Sequence, residues 1–312
     1  MTVPTAIRRL TGIHAATVTP MRPDSSVDWE ALAAHVGRVG RADGIRGLLI
    51  NGHAGENFLL TREEKRRVIE ICRAELGPGV FLTSGINAES SLEAALHAAD
   101  AEAAGADALL LFPPNAWIGF RDAASARLHH EHVIAACGLP ILLYQAPVGA
   151  GAMPYGPDTL AELVALPRVA GIKEGSWEVA TYDQNRRIAK AIRPDLAVLG
   201  SGDEHLLTAY LIGSEGSQVS LAAVTPEPLV ALWDAASRQD WAAARHWHDV
   251  IYPLACAIYR DKPAGRATPR LKACLRILGL LDHDTVRPPF APIPAEEYGR
   301  LEKALRHAGA FG

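Results

Sequence analysis

Lysine is scarce in this chain: of its 31 basic residues only six are lysines, at positions 65, 173, 190, 262, 272 and 303, and the rest are arginines. Cysteine is scarcer still. Cys72, Cys137, Cys256 and Cys274 lie far apart with no CxxC spacing, which excludes a disulfide scaffold or a cysteine zinc cluster and predicts reduced, apolar-packed thiols. No excess of one charge is present. The formal net charge is −4 with a pI near 6.3, so no basic footprint for nucleic acid or an anionic membrane exists, and small-molecule chemistry is the expectation. Long apolar runs are missing too. The longest, 108–120, is broken by Pro113 and Pro114, and the first residues carry no apolar core of the export-signal kind, so a cytoplasmic location is expected. Nor does GxGxxG follow the first apolar run, which argues against an open dinucleotide-binding sheet.

What the chain does have is a core-forming composition, 49% hydrophobic and 21% charged over 312 residues, enough for one large domain. Apolar β-rich runs alternate with amphipathic stretches, the pattern of repeated βα units. Eight runs stand out, at 13–18, 47–50, 80–83, 108–112, 141–144, 169–172, 197–199 and 218–221. Between them, Asp28, Thr61-x-x-Glu64, Ser90-x-x-Glu93 and Pro157-Asp158 mark helix starts. The count predicts an α/β fold, a (β/α)8 TIM barrel over 1–225. Past residue 226 the β signal stops, and helical patterns at 228–237, 241–259, 268–280 and 295–308 predict a C-terminal helical extension over 226–312, packed on the barrel without a separating linker.

Five of the lysines lie in polar helical or loop contexts; Lys173 does not. It follows Val169-Ala170-Gly171-Ile172, so a barrel strand would deliver its amine to the C-terminal rim where barrel active sites form. A lysine held in an apolar place has a lowered pKa and becomes a nucleophile toward carbonyls. Pairing with Glu174 or another carboxylate is an equal alternative on pattern alone. Tyr144 ends the preceding apolar run and would stand beside Lys173, where a phenol can move a proton to and from a substrate oxygen; a buried structural tyrosine is the plainer reading. The turn Asn51-Gly52-His53-Ala54-Gly55-Glu56 could face its backbone N–H groups to an anion. His129, His130 and His132 beside Glu131 read as a polar outer helix face, and His246 and His248 share no face, so no metal is expected.

The run 12–20 with Thr17, Thr19 and Pro20, together with Gly52-x-x-Gly55-Glu56, Tyr144-x-x-Pro147, Gly171-Ile172-Lys173-Glu174 and Ser201-Gly202-Asp203, resembles the dihydrodipicolinate synthase / N-acetylneuraminate lyase family in order and spacing. The likeness covers nearly the whole chain. It implies a class I aldolase or lyase, usually tetrameric and needing no metal or organic cofactor, with Lys173 as the imine-forming residue and Tyr144 as proton relay. The turn at Gly52, His53, Ala54 and Gly55 would receive the carboxylate of a 2-oxo acid such as pyruvate, and an aldehyde would be the second partner.

The chain departs from that family at informative places. The family turn carries two hydroxyl residues between its glycines; here they are His53 and Ala54, so carboxylate binding would rest on backbone N–H groups and His53 would replace the first threonine in the relay. The synthases place an arginine two residues after the Tyr-x-x-Pro proline to hold a second carboxylate; here that position is Gly149. The aromatic pair usual after the fourth strand is replaced within Phe112-Pro113-Pro114-Asn115. A lysine-pathway synthase is therefore not expected. Asp203, Glu204 and Ser220 resemble the lyase branch, where such residues contact a sugar-acid tail, though the two acids equally suit a helix N-terminus. Trp117 or Trp177, if pocket-facing, would favour an aromatic aldehyde. A Schiff-base dehydratase of a 2-oxo sugar acid and a non-catalytic binding paralogue are the alternatives.

Overall fold

The computed structural model describes residues 2–119, 121–260 and 264–311; Phe120 and Lys262 lie outside the described residues. Eight parallel strands close into a barrel in sequence order: β1 Gly12–Ala16, β2 Ile45–Ile50, β3 Phe81–Ile86, β4 Ala108–Leu111, β5 Ile141–Gln145, β6 Val169–Glu174, β7 Ala197–Gly200 and β8 Gly216–Val219. The helices are α1 Val3–Arg9, α2 Trp29–Gly40, α3 Arg62–Leu76, α4 Ser91–Ala103, α5 Ala123–Ala136, α6 Pro157–Val164, α7 Val179–Ile192, α8 Leu206–Ile212, α9 Pro226–Ser237, α10 Trp241–Ala255, α11 Ala267–Ile277 and α12 Ala295–His307. The predicted barrel and the predicted helical C-terminal part are both present.

Strand periodicity divides the apolar residues between two layers. Along β4, Leu109 and Leu111 face the surrounding helices while Ala108 and Leu110 fill the barrel interior with Leu49, Leu142 and Leu199. Each fully buried leucine is worth about 1.5–3 kcal/mol in apolar transfer, so a one-residue slip in any strand would empty both layers at once. Ala6 and Leu10 join the interior layer, making α1 the plug of the barrel's N-terminal end. The sequence pattern missed α1 because seven residues with Pro4 in the first turn give too few periods to read.

The eighth strand begins and ends two residues before the predicted run. Its first residue crowds β1: a Cβ at Gly216 would lie 2.2 Å from the Gly12 carbonyl oxygen, so glycine starts the strand and Leu221 passes into a 3-10 turn. Helix starts follow the predicted chemistry with one exception. The Asp28 carboxylate accepts from Ala31 N–H and the Thr61–Glu64 capping box is complete, but Ser90 makes no cap bond and Glu93 lies instead 3.6 Å from His97, a turn further on. The predicted helix 241–259 is also interrupted. Pro253 has no N–H to give the Asp249 carbonyl, His307 Nε2 stands 3.3 Å from that oxygen, and the chain continues as a π-helical turn, Cys256–Arg260.

Two polar expectations are corrected by burial. Lys65 and Lys272 are buried rather than solvated: Lys65 donates to the Asn87 carbonyl at 3.3 Å, and Lys272 has no exposed side-chain surface. His129 and His130 face inward, not outward, with His129 Nδ1 2.9 Å from Ser91 Oγ and His130 Nδ1 2.8 Å from the Ala126 carbonyl. Of the three predicted outer histidines only His132 is exposed. All four cysteines are free, and three are buried.

Candidate active site

Parallel pairing of β5 with β6 places Tyr144 directly opposite Lys173, both at the C-terminal rim, with Lys173 Nζ 6.0 Å from the phenol ring centroid. Removal from water lowers the Lys173 pKa to about 8, against the Asp203 carboxylate, which acts in the other direction. The alternative partner of Lys173 is otherwise engaged. Glu174 is fully buried and accepts from Asn185 Nδ2 at 2.9 Å and Ser176 Oγ at 3.0 Å, and burial pushes its carboxyl up to about 7. Burial, then the charge of Glu174, raises the Tyr144 phenol well above its ordinary range, so it stays protonated at neutral pH.

The turn after β2 is a single 3-10 turn, His53–Gly55, bracketed by Asn51 and Glu56, both in left-handed backbone conformations. Gly55, Glu56 and Asn57 N–H groups donate back into the turn, to the Gly52 and His53 carbonyls. His53 and Ala54 occupy its first positions, where N–H groups have no partner within the turn. Gly55 fits because a Cβ there would stand 3.2 Å from Thr19 Oγ1 and 3.3 Å from the Thr17 carbonyl. The His53 ring stacks on Phe112 at 4.2 Å and meets Tyr144 edge-on at 5.5 Å. The His53 side chain keeps an exposed edge at the rim, while the atoms crowded against its ring, then the nearby Lys173 ammonium, hold its imidazole below the usual histidine range.

The remaining predicted residues divide. Asp203 is buried, its Oδ1 accepting from Leu221 N–H at 3.0 Å, and burial pushes its carboxyl up to about 7 while Lys173 pulls the other way. Glu204 is engaged by Arg260 at 2.6 Å and by the Cys256 thiol. Ser220 is part-buried ahead of the 3-10 turn Leu221–Ala223. Trp117 belongs to the helix-side core, against His129, whereas Trp177, with φ 59°, packs between His205 and Tyr259. Tyr259 escaped the sequence reading. Its position in a helical run looked like ordinary packing, yet the π-helical turn brings its hydroxyl under the influence of the Asp203 charge. At Gly149 nothing lies within 4 Å of where a Cβ would be, and Arg121 bonds to the Ala152 and Pro154 carbonyls. Among the described residues no cluster of three or more His, Cys, Asp or Glu is arranged to hold a metal, and no helix is long and apolar enough to cross a membrane.

The Dihydrodipicolinate synthetase family model matches residues 9–308. A 4-hydroxy-tetrahydrodipicolinate synthase of Phenylobacterium zucineum is 33% identical over 301 residues, covering 96% of this chain and 97% of its own. Among solved structures, a dihydrodipicolinate synthase from Agrobacterium tumefaciens superposes with a TM-score of 0.86 at 28% identity, over 97% of this chain and 99% of that one. A prophage protein of the dihydrodipicolinic acid synthase family from E. coli K12, solved in complex with pyruvate, shares the fold with a TM-score of 0.88 at 23% identity, over 96% and 99% of the two chains.

Proposed function

The chain belongs to the dihydrodipicolinate synthetase family, an aldolase and lyase family, and from that premise we propose that it forms a Schiff base between Lys173 and a small 2-oxo acid such as pyruvate, for aldol cleavage or condensation with an aldehyde. The observation that carries this is the rim pair: an amine with a pKa lowered to about 8, set opposite a protonated phenol.

The neutral Lys173 amine attacks the 2-oxo carbon, water leaves, and the cationic imine draws electrons from the neighbouring carbon. Loss of a proton there gives an enamine, whose carbon adds to the aldehyde carbonyl; the reverse sequence cleaves the bond. Water then hydrolyses the imine and restores the amine. Tyr144 gives a proton to the departing oxygen and recovers it on the return path. The first-turn N–H groups of His53 and Ala54 take the 2-oxo acid carboxylate, a role that suits orphan donors at the start of a turn. His53, neutral and edge-on to Tyr144, passes the proton onward.

The second substrate is proposed to lack the carboxylate that a lysine-pathway aldehyde presents, since open space surrounds Gly149 where that family member keeps an arginine. The sugar-acid dehydratase reading is less favoured because Glu204 is taken by Arg260, leaving Asp203 and Ser220 for a polar tail. Incubating the protein with pyruvate and a panel of aldehydes, and following pyruvate consumption, tests the proposal; turnover with no aldehyde in the panel and release of water from hydroxylated 2-oxo acids would favour the dehydratase.

A further inference from the structure

The turn that bears His53 and Ala54 is fastened from behind by the C-terminal helices. Glu56 closes the turn with a left-handed backbone (φ 59°) and sends its carboxylate into the interior, where it accepts from the Lys272 ammonium and, at 2.9 Å, from the Arg287 N–H. Neither Glu56 nor Lys272 exposes any side-chain surface. A second Lys272 bond reaches the Thr285 carbonyl at 2.8 Å, and Thr268, one turn earlier on α11, donates to the His53 carbonyl at 3.3 Å. Three attachments from one stretch, 268–287, therefore converge on a turn of three residues.

Burying two charges carries a desolvation cost that the pair's attraction does not reliably return as stability, whereas the pair does fix geometry, because neither charge can leave its partner without standing alone in the interior. Here the geometry fixed is that of the backbone turn whose first N–H groups, those of His53 and Ala54, have no partner within it. We propose that Lys272 is a positioning residue for 2-oxo acid recognition: by holding Glu56 it sets the direction of the two N–H groups that receive the carboxylate. The proposal rests on the Schiff-base reading above, and it makes the C-terminal helices a working part of the site.

The full chain with Lys272→Met is the direct probe, assayed by borohydride trapping on Lys173 at varied concentrations of pyruvate and, separately, of propanal, a carbonyl compound without a carboxylate. The variant is expected to need about 10- to 100-fold more pyruvate for half-maximal trapping, since a small misplacement of binding groups has consequences of that order. Propanal trapping should stay within about twofold of wild type, and Lys272→Arg should recover part of the pyruvate response. Should Lys272→Met fail to fold, the double variant Glu56→Gln with Lys272→Met, which leaves no lone buried charge, carries the same expectation. Equal losses for both carbonyl compounds, or an unchanged pyruvate dependence, would overturn the positioning role. Wild-type protein that traps propanal but never pyruvate would instead overturn the Schiff-base reading itself.

Discussion

Tyr144 and Lys173 are cross-strand partners at the ends of β5 and β6, and the lysine nitrogen stands 6.0 Å from the centre of the phenol ring. Neither is an isolated feature of the rim: the same phenol packs 4.7 Å from Phe112 and 5.5 Å from His53. The proposed proton transfer, carbonyl attack and carboxylate binding thereby share one small patch, and each proposed role has a consequence that can be measured.

The rate of imine formation depends on the neutral amine. With the Lys173 pKa lowered from 10.5 to about 8, the initial rate of borohydride trapping with pyruvate should rise roughly tenfold per pH unit up to about pH 8 and then level. A rate still climbing at pH 9.5 would mean that Lys173 behaves as an ordinary solvated lysine.

With its pKa lowered from the ordinary histidine value, His53 would take part in the proposed relay as an imidazole and not as a cation. The pH profile of kcat should show no limb at the ordinary histidine value of 6.5. His53→Ala should lower kcat by about a hundredfold if the ring passes the proton from Tyr144. An unaltered rate and profile would remove His53 from the relay.

Gly149 offers room. Because no atom lies within 4 Å of its Cβ position and its backbone is not left-handed, Gly149→Arg should fold normally and gain affinity for aldehydes that carry a carboxylate. One charge-assisted contact of about 1.5–3 kcal/mol corresponds to roughly ten- to a hundredfold in kcat/KM for such aldehydes over uncharged ones. No change in that ratio would separate position 149 from substrate choice.

His35, on the inner face of α2, is buried with neither ring nitrogen hydrogen-bonded, and burial lowers its pKa to about 3. The unfolded chain takes up the proton near pH 6.5 while the folded chain refuses it, so stability present above 6.5 is lost as pH falls toward 3. Between pH 6.5 and 5 this residue should account for roughly 1–2 kcal/mol of destabilisation. Urea unfolding of His35→Leu at both values should show a pH dependence smaller by that amount; an identical dependence would contradict it.

Much of this was readable from the chain because it rests on short-range pattern. Eight apolar β-rich runs alternating with amphipathic stretches and the capping signals at Asp28 and Thr61 place the barrel, and a lone lysine at a strand end places the candidate nucleophile. Long-range pairing is what spacing cannot disclose. Lys272 lies 216 residues from Glu56, so it reads as a polar helix position; Arg270, also fully buried, lies 27 residues from its partner Glu297. His129 and His130 misled because their polarity suggested an outer face, while both are buried, His129 against Ser91 on α4 and His130 bonded to the Ala126 carbonyl within α5. Tyr259 was hidden by a local irregularity, the π-helical turn after Pro253, which no periodic pattern anticipates.

The central claim is that Lys173 is the imine-forming residue. Treating the protein with pyruvate and borohydride, digesting it and locating the modified peptide by mass tests this most directly. A reduced pyruvyl adduct on Lys173, absent from Lys173→Met, is the predicted result; no adduct with any of a panel of 2-oxo acids, or an adduct borne by another lysine, would contradict it.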